Sequence, residues 1–156
     1  MNDKPELGNE VQSLRRSIEK IQTENSFLRQ LINSSPDFMF ISRIDNFKFT
    51  EVNTTACKYY GYSHEEFLEM EIFDIEVSPL LKQQVRELYD VTPEGTVLEV
   101  FGINRKKNDD TFPVHVRFLK LDKELALANV RDITDLKILE DELIEAKEKT
   151  EPPTLS

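Results

Sequence analysis

One cysteine, two histidines and no tryptophan occur in the 156 residues of this chain. A lone thiol, Cys57, excludes an internal disulfide and any zinc site built on several cysteines. Two histidines, His64 and His115, are few for a metalloenzyme, so no metal site is expected. Long apolar runs are missing too. The longest clear early one, Phe38 to Ile41, falls far short of a membrane span, and the opening MNDKPELGNE has no apolar signal-peptide core. A soluble, cytoplasmic protein without membrane partners is the expectation. Positive charge is in deficit: Lys and Arg total 20 against 30 Asp and Glu, for a net charge of −10. Such a surface repels phosphate, which argues against nucleic acid and anionic membrane as partners. The basic cluster Arg105-Lys106-Lys107 is the local exception, and with Asn108-Asp109-Asp110 beside it reads as a solvated hairpin tip.

The length suits one domain with appendages, enough to bury roughly two-thirds of the unfolded surface. Residues 5–32 carry a heptad. Leu7, Val11, Leu14, Ile18, Ile21, Asn25, Leu28 and Ile32 fall at alternating steps of four and three, and only Asn25 is polar. With Val11 at position a, Asn25 is also at a, where an asparagine costs stability but favours a parallel, in-register pair. Glu10 then faces Arg15, and Glu24 faces Arg29, of a second copy. The plainer alternative is an amphipathic helix folded onto its own domain, which needs only an apolar stripe. The narrow stripe, the asparagine and the charge pairs favour a homodimer.

Pro36 limits that helix, because the residue before proline disfavours α geometry. Residues 38–42 and 47–52 then read as short strands around an Arg43-Ile44-Asp45-Asn46 turn. Short helices follow to about residue 92, and three strands, 96–105, 111–121 and 124–131, close the domain. The middle strand alternates, with Phe112, Val114, Val116 and Phe118 on one face and His115 and Arg117 on the other. That order predicts an antiparallel α+β domain. Residues 133–150 return to helix, with Leu136, Leu139, Leu143 and Ala146 at three-four spacing and Glu142 able to face Lys147 of a second copy; Pro152-Pro153 stop it.

The stretch NTTACKYYGYSHEEF at 53–67 joins the only cysteine to the first histidine. Asn53 suits a helix N-cap and Gly61 a left-handed stop. Ser63 with Glu66 forms a capping box, and Tyr62 with Phe67 a hydrophobic staple. His64 is expected at the surface, pointing to solvent. Cys57, mid-helix with nothing to hold a thiolate, is expected to be a half-buried packing residue. No acid, base or nucleophile set is recognisable, so no catalytic residues and no enzymatic activity are expected.

Together, Ser35-Pro36-Asp37, Val52-Asn53, Ala56, Gly61-Tyr62-Ser63 and Glu65-Glu66 resemble the first half of a PAS domain. RKKNDDTFPVHV and VRDIT at 130–134 resemble its C-terminal PAC motif. The likeness covers about residues 28–135. It departs at Asp109-Asp110, where the family often has Asp-Gly, and a looser turn is expected there. The resemblance implies a PAS fold: a five-stranded antiparallel sheet with short helices on one face, flanked by N- and C-terminal coiled-coil-type helices. It divides the chain into a coiled-coil helix (1–32), a sensory domain (33–132), a signalling helix (133–150) and a tail (151–156). It implies a sensor and dimerisation module like those of bacterial and archaeal sensor histidine kinases in two-component systems. Asp132 and Thr134 match its signal junction, where Asp132 would cap the following helix or pair with a nearby base.

The resemblance also narrows the cofactor. Photochemical flavin-binding members carry a reactive cysteine in an Asn-Cys-Arg-Phe-Leu-Gln motif after the second short helix. Residues 68–80 hold nothing similar, and Cys57 lies too early. Haem-binding members supply a histidine from the long helix, here within 78–92, which has none, and His115 is expected to face away. Members holding FAD non-covalently commonly use tryptophan, absent here. Haem and photochemical flavin are therefore not expected, and a small organic ligand is left open. The candidate pocket face joins Phe40, Ser42, Gly102, Asn104, Val114, Val116, Phe118, Ala126, Ala128 and Val130, with Val85, Leu88 and Tyr89 from the long helix. Either a ligand occupies that space or those three helix residues fill it as ordinary core, which is the simpler reading. No kinase, ATP-binding or cyclase motif follows residue 135, so a histidine kinase or other output domain would lie in cis in a longer chain or act in trans. The alternative is a ligand-free PAS adaptor that binds a separate kinase or regulator.

Overall fold

The computed structural model of the chain describes residues 3–78 and 82–150. Residues 79–81, at the head of the expected long helix, and the tail 151–156 lie outside the described residues. The chain divides into two units, Met1–Ser35 and Pro36–Ser156.

The first unit is one helix, α1 (Asp3–Ser34), about 48 Å long at 1.5 Å per residue. It ends two residues short of Pro36, where proline geometry requires. Leu7, Val11, Leu14, Ile18, Ile21 and Leu28 are all exposed on the single chain, Leu14 at 63%. Asn25 is exposed and Ile32 half-buried. Phe27 and Leu31, outside the heptad seam, are exposed as well.

The second unit runs β1 (Phe38–Arg43), β2 (Phe49–Val52), α2 (Thr54–Tyr60), α3 (His64–Leu68), α4 (Ile72–Ile75), α5 (Lys82–Val91), β3 (Val97–Arg105), β4 (Thr111–Lys120), β5 (Leu125–Asp132) and α6 (Thr134–Thr150). The strands form one antiparallel sheet in the order β2-β1-β5-β4-β3. Side chains alternate across a sheet, and the register gathers one parity on the inner face. Phe38 pairs with Val130, Phe40 with Ala128, and Ser42 with Ala126. Across the other edge Phe112 pairs with Asn104 and Val114 with Gly102. The helices cover this face. Phe38, Phe40, Phe49, Phe112 and Val130 pack with Ala56, Tyr60, Phe67 and Ile75 in one buried cluster. Phe47, Phe118 and Ala126 pack with Tyr89 in another.

Local grammar explains the helix starts. Asn53 caps α2, its Oδ1 accepting from Ala56 N at 3.2 Å, and Gly61 closes α2 at φ 86°. Ser63 and Glu66 form the capping box of α3, and the Tyr62 and Phe67 rings meet at 5.2 Å. Asn53 does more than cap: the same oxygen accepts from Met39 N at 3.0 Å, and Nδ2 donates to the Asp37 carbonyl at 3.0 Å. It thereby pins the start of β1 to the start of α2.

Two turns differ from expectation. The second strand begins at Phe49, not Phe47, because Phe47 is buried in a left-handed turn at φ 62°. That geometry strains a bulky residue by roughly 1–2 kcal/mol. Packing against Phe73 and Tyr89 (ring centroids at 5.2 and 6.2 Å) opposes the strain. The hairpin at 105–111 is tight, not loose. Asp109 takes the left-handed conformation at φ 72°. Lys106 N donates to the Asp110 carbonyl at 2.8 Å, and Asp110 N to the Asn108 side chain at 3.0 Å.

Candidate functional site: a cavity between sheet and helices

A cavity of about 110 Å³ lies between the inner sheet face and α4 and α5. Phe40, Ser42, Val85, Leu88, Tyr89, Asn104, Val116, Phe118, Ala128 and Val130 line it. Three residues of the expected face do not. Val114 is fully buried in the aromatic cluster, and Ala126 packs beneath Phe47 and Tyr89. Gly102 is covered by α4's exit: a Cβ there would sit 2.7 Å from Glu76 Oε2 and 3.0 Å from Ser78 Oγ. The long helix supplies core and cavity wall at once, so filling and lining are not alternatives.

The wall also includes Phe49, Ile72, Phe73, Ile75, Glu76 and Ser78. Most of these come from α4 and the strap after it. A four-residue helix shows no periodicity to read, so its reciprocal Glu71–Asp74 caps were the only local signal. The strap, residues 76–78, lies along the free edge of β3. Val77 N donates to the Ile103 carbonyl at 2.9 Å, and Ile103 N donates to Ser78 Oγ at 2.7 Å. Ser78 N donates to Glu76 Oε1 at 2.9 Å.

Polar groups are few in this apolar space. Burial pushes the Tyr89 phenol up to about 12, against the opposing effect of the Ser42 hydroxyl. Asn104 is 3% exposed and Tyr60 1%. Asn104 Nδ2 donates to the Tyr60 hydroxyl at 2.6 Å. Burial, above all, pushes the Tyr60 phenol upward, so it stays neutral at any ordinary pH. The other amide atom, Asn104 Oδ1, is buried without a hydrogen-bond partner.

The residue before Tyr60 reaches a different place. Tyr59 donates its hydroxyl proton to Asp132 Oδ2. Asp132 Oδ1 accepts from Thr134 N at 2.8 Å and from the Thr134 hydroxyl, at the start of α6. The carboxylate thus binds the amide two residues on, and its side-chain partner in α2 is a phenol, not a base. Burial alone would raise the Asp132 carboxyl; the bonds from Thr134 and Tyr59 outweigh it and hold the group below the ordinary carboxylate range. Burial, then the same bond, pushes Tyr59 up to about 12. Lys106 Nζ lies 3.9 Å above the Tyr59 ring, and Lys107 Nζ lies 2.8 Å from Glu66. Two lysines of the hairpin tip thus reach back to α2 and α3, while Arg105 and residues 107–110 stay exposed, as a solvated tip implies.

His64 is half-exposed, as its place at the head of α3 implies, but does not simply point to solvent. Its Nε2 lies 2.8 Å from Glu51 Oε1 on β2. Cys57 is half-buried against the aromatic cluster, and burial raises its thiol. His115 is on the sheet's outer face, stacked on Phe101 at 4.9 Å. Among the described residues no group of three or more His, Cys, Asp or Glu is placed to hold a metal ion, and no helix is long and apolar enough to cross a membrane.

An antiparallel sheet with one helical flank, a small cavity between them and a polar junction at its last strand defines a class of small α+β domains. Comparison with known proteins gives the family. A PAS domain model matches residues 36–135, so the chain belongs to the PAS domain family. The structure resembles the PAS domain of an HTR-like protein from Haloarcula marismortui (TM-score 0.69, 22% identity, 76% of this chain and 99% of that one). It also resembles a PAS domain from a two-component sensor histidine kinase (TM-score 0.59, 25% identity, 71% and 97%). A third likeness, at the level of fold, is to Rhodobacter sphaeroides LOV protein (TM-score 0.55, 15% identity, 72% and 68%). No curated protein sequence matches the chain.

Proposed function

We propose that this PAS domain is a cytoplasmic sensory and dimerisation module of a signal-transduction system, without catalytic activity of its own. Occupancy of the cavity would be passed to the flanking helices of a homodimer and so to a histidine kinase or other output domain, in cis or in trans. The observation that carries this reading is the pair of neighbours Tyr59 and Tyr60. One holds Asn104 in the cavity wall and the other holds Asp132 at the start of α6. A displacement of Asn104 therefore turns the same helical step that grips the output helix. Likeness to a sensor-kinase PAS domain supports the context.

A cavity of about 110 Å³ is small beside the roughly 300–1,000 Å³ of pockets for drug-sized ligands. That volume argues against a flavin or a haem, and Cys57 is not in its wall. No step is assigned to either group. The test is a native mass spectrum and an absorption spectrum of freshly purified protein. A small molecule retained in the folded protein and released on unfolding is the expected result. A bare protein that binds nothing small yet pairs with a kinase would instead establish a ligand-free adaptor.

A further inference from the structure

Asn104 faces two ways: its Nδ2 is taken by Tyr60, and its Oδ1, buried in the cavity wall, is taken by nothing. A buried acceptor left unmet costs about 1–3 kcal/mol, and native proteins seldom retain one without a use. The rest of the wall is mostly apolar and aromatic, its other polar groups being the Ser42, Ser78 and Tyr89 hydroxyls and the Glu76 carboxylate. Glu76 Oε1 accepts from Ser78 N and Ser78 Oγ accepts from Ile103 N, and both residues are only half-buried. Asn104 Oδ1 is therefore the acceptor of this wall that is both fully buried and unmet. The volume sets the size. An apolar protein cavity of about 150 Å³ takes up benzene, so 110 Å³ sets the scale at about one small ring.

We infer that the cavity takes a single-ring-sized, largely apolar molecule carrying a hydrogen-bond donor, which it presents to Asn104 Oδ1. This deepens the sensory reading above and rests on it. A molecule of that shape satisfies the orphan oxygen and keeps its apolar body against Phe40, Leu88 and Val116. Its bond to Asn104 would draw on the amide that Tyr60 already holds, which is the step toward Tyr59 and Asp132.

Phenol, anisole and toluene are nearly the same shape and differ in the donor, so they serve as probes. Each would be titrated into the full chain and followed by the side-chain amide resonances of Asn104 and the ring resonances of Tyr60. Phenol should bind about ten-fold tighter than toluene or anisole, the equivalent of one net buried hydrogen bond of about 1.4 kcal/mol. In Asn104→Leu that preference should vanish while toluene still binds. If the variant does not fold, the three probes on the unsubstituted protein decide alone. Anisole or toluene binding as tightly as phenol would overturn the donor requirement and leave the sensory cavity standing. 1-Naphthol binding as tightly as phenol would overturn the size limit. No response to any probe would overturn the cavity as a ligand site and this inference with it.

Discussion

Asp132 accepts from two elements at once, Tyr59 of α2 and Thr134 at the head of α6. Its carboxyl is held below the ordinary range, so the bonds contribute stability above the unfolded pKa, near 4. That contribution is lost as pH falls through the lower folded value. Urea titrations across that window should show the protein weakening on acidification, and Asp132→Asn should flatten that dependence. Tyr59 has the opposite sign. Its folded value, about 12, lies above the unfolded value near 10, so its contribution is complete below pH 10 and lost between about 10 and 12. Tyr59→Phe should remove one phenolate transition near pH 12 from an ultraviolet titration. It should also cost about 1–3 kcal/mol at neutral pH, since the lost bond is to a charged acceptor.

At the scale of elements, α2 and α3 are short, so their ends matter more than their middles. Gly61 holds φ 86° with only an ordinary 3.5 Å approach from Lys107 Cβ awaiting a side chain. Gly61→Ala should therefore cost about 1 kcal/mol through backbone geometry rather than collision. The strap at 76–78 closes the cavity by borrowing the free edge of β3. In Gly102→Ala the new Cβ would meet the Glu76 carboxylate at 2.7 Å. Because that group is the end of a flexible side chain, it should swing away and loosen the strap while the sheet holds. Hydrogen exchange should quicken at Val77 and Ile103 and stay unchanged at Val116 and Val130. Equal quickening everywhere would mean that the strap has no separate role.

At the scale of the whole molecule, the two flanking helices leave apolar side chains in water. Leu143 on α6 is 72% exposed, and the α1 seam is exposed over most of its length. Pairing in register would bury these rows and set Asn25 against its counterpart. The expected state in light scattering is a dimer at micromolar concentration. Asn25→Leu should raise thermal stability while allowing trimers or mixed registers, because the amide that penalises other arrangements is gone. A monomer for the unsubstituted protein would remove α1 as a dimer helix.

Much of the fold could be read in advance because its signals are local. Asn53, Gly61, Ser63 and Glu66 act within a few residues of themselves, and the alternation of Phe112, Val114, Val116 and Phe118 needs only the period of a strand. The cavity was half legible for the same reason: parity chose the sheet face, but beyond the Glu71–Asp74 caps nothing in sequence marked α4, the strap or the covering of Gly102 by Glu76. Those depend on which distant segments meet. Asn104 and Tyr60 are 44 residues apart, Asp132 and Tyr59 are 73, and no spacing rule connects them. By itself the sequence determined the helix ends, the strand faces and the heptads, all consequences of backbone geometry and side-chain period. Only the tertiary structure decided which residues wall the cavity, that one amide oxygen is left unmet there, and that two adjacent tyrosines face different sites. Those follow from packing, where the shape of every neighbour sets what space and which partners remain.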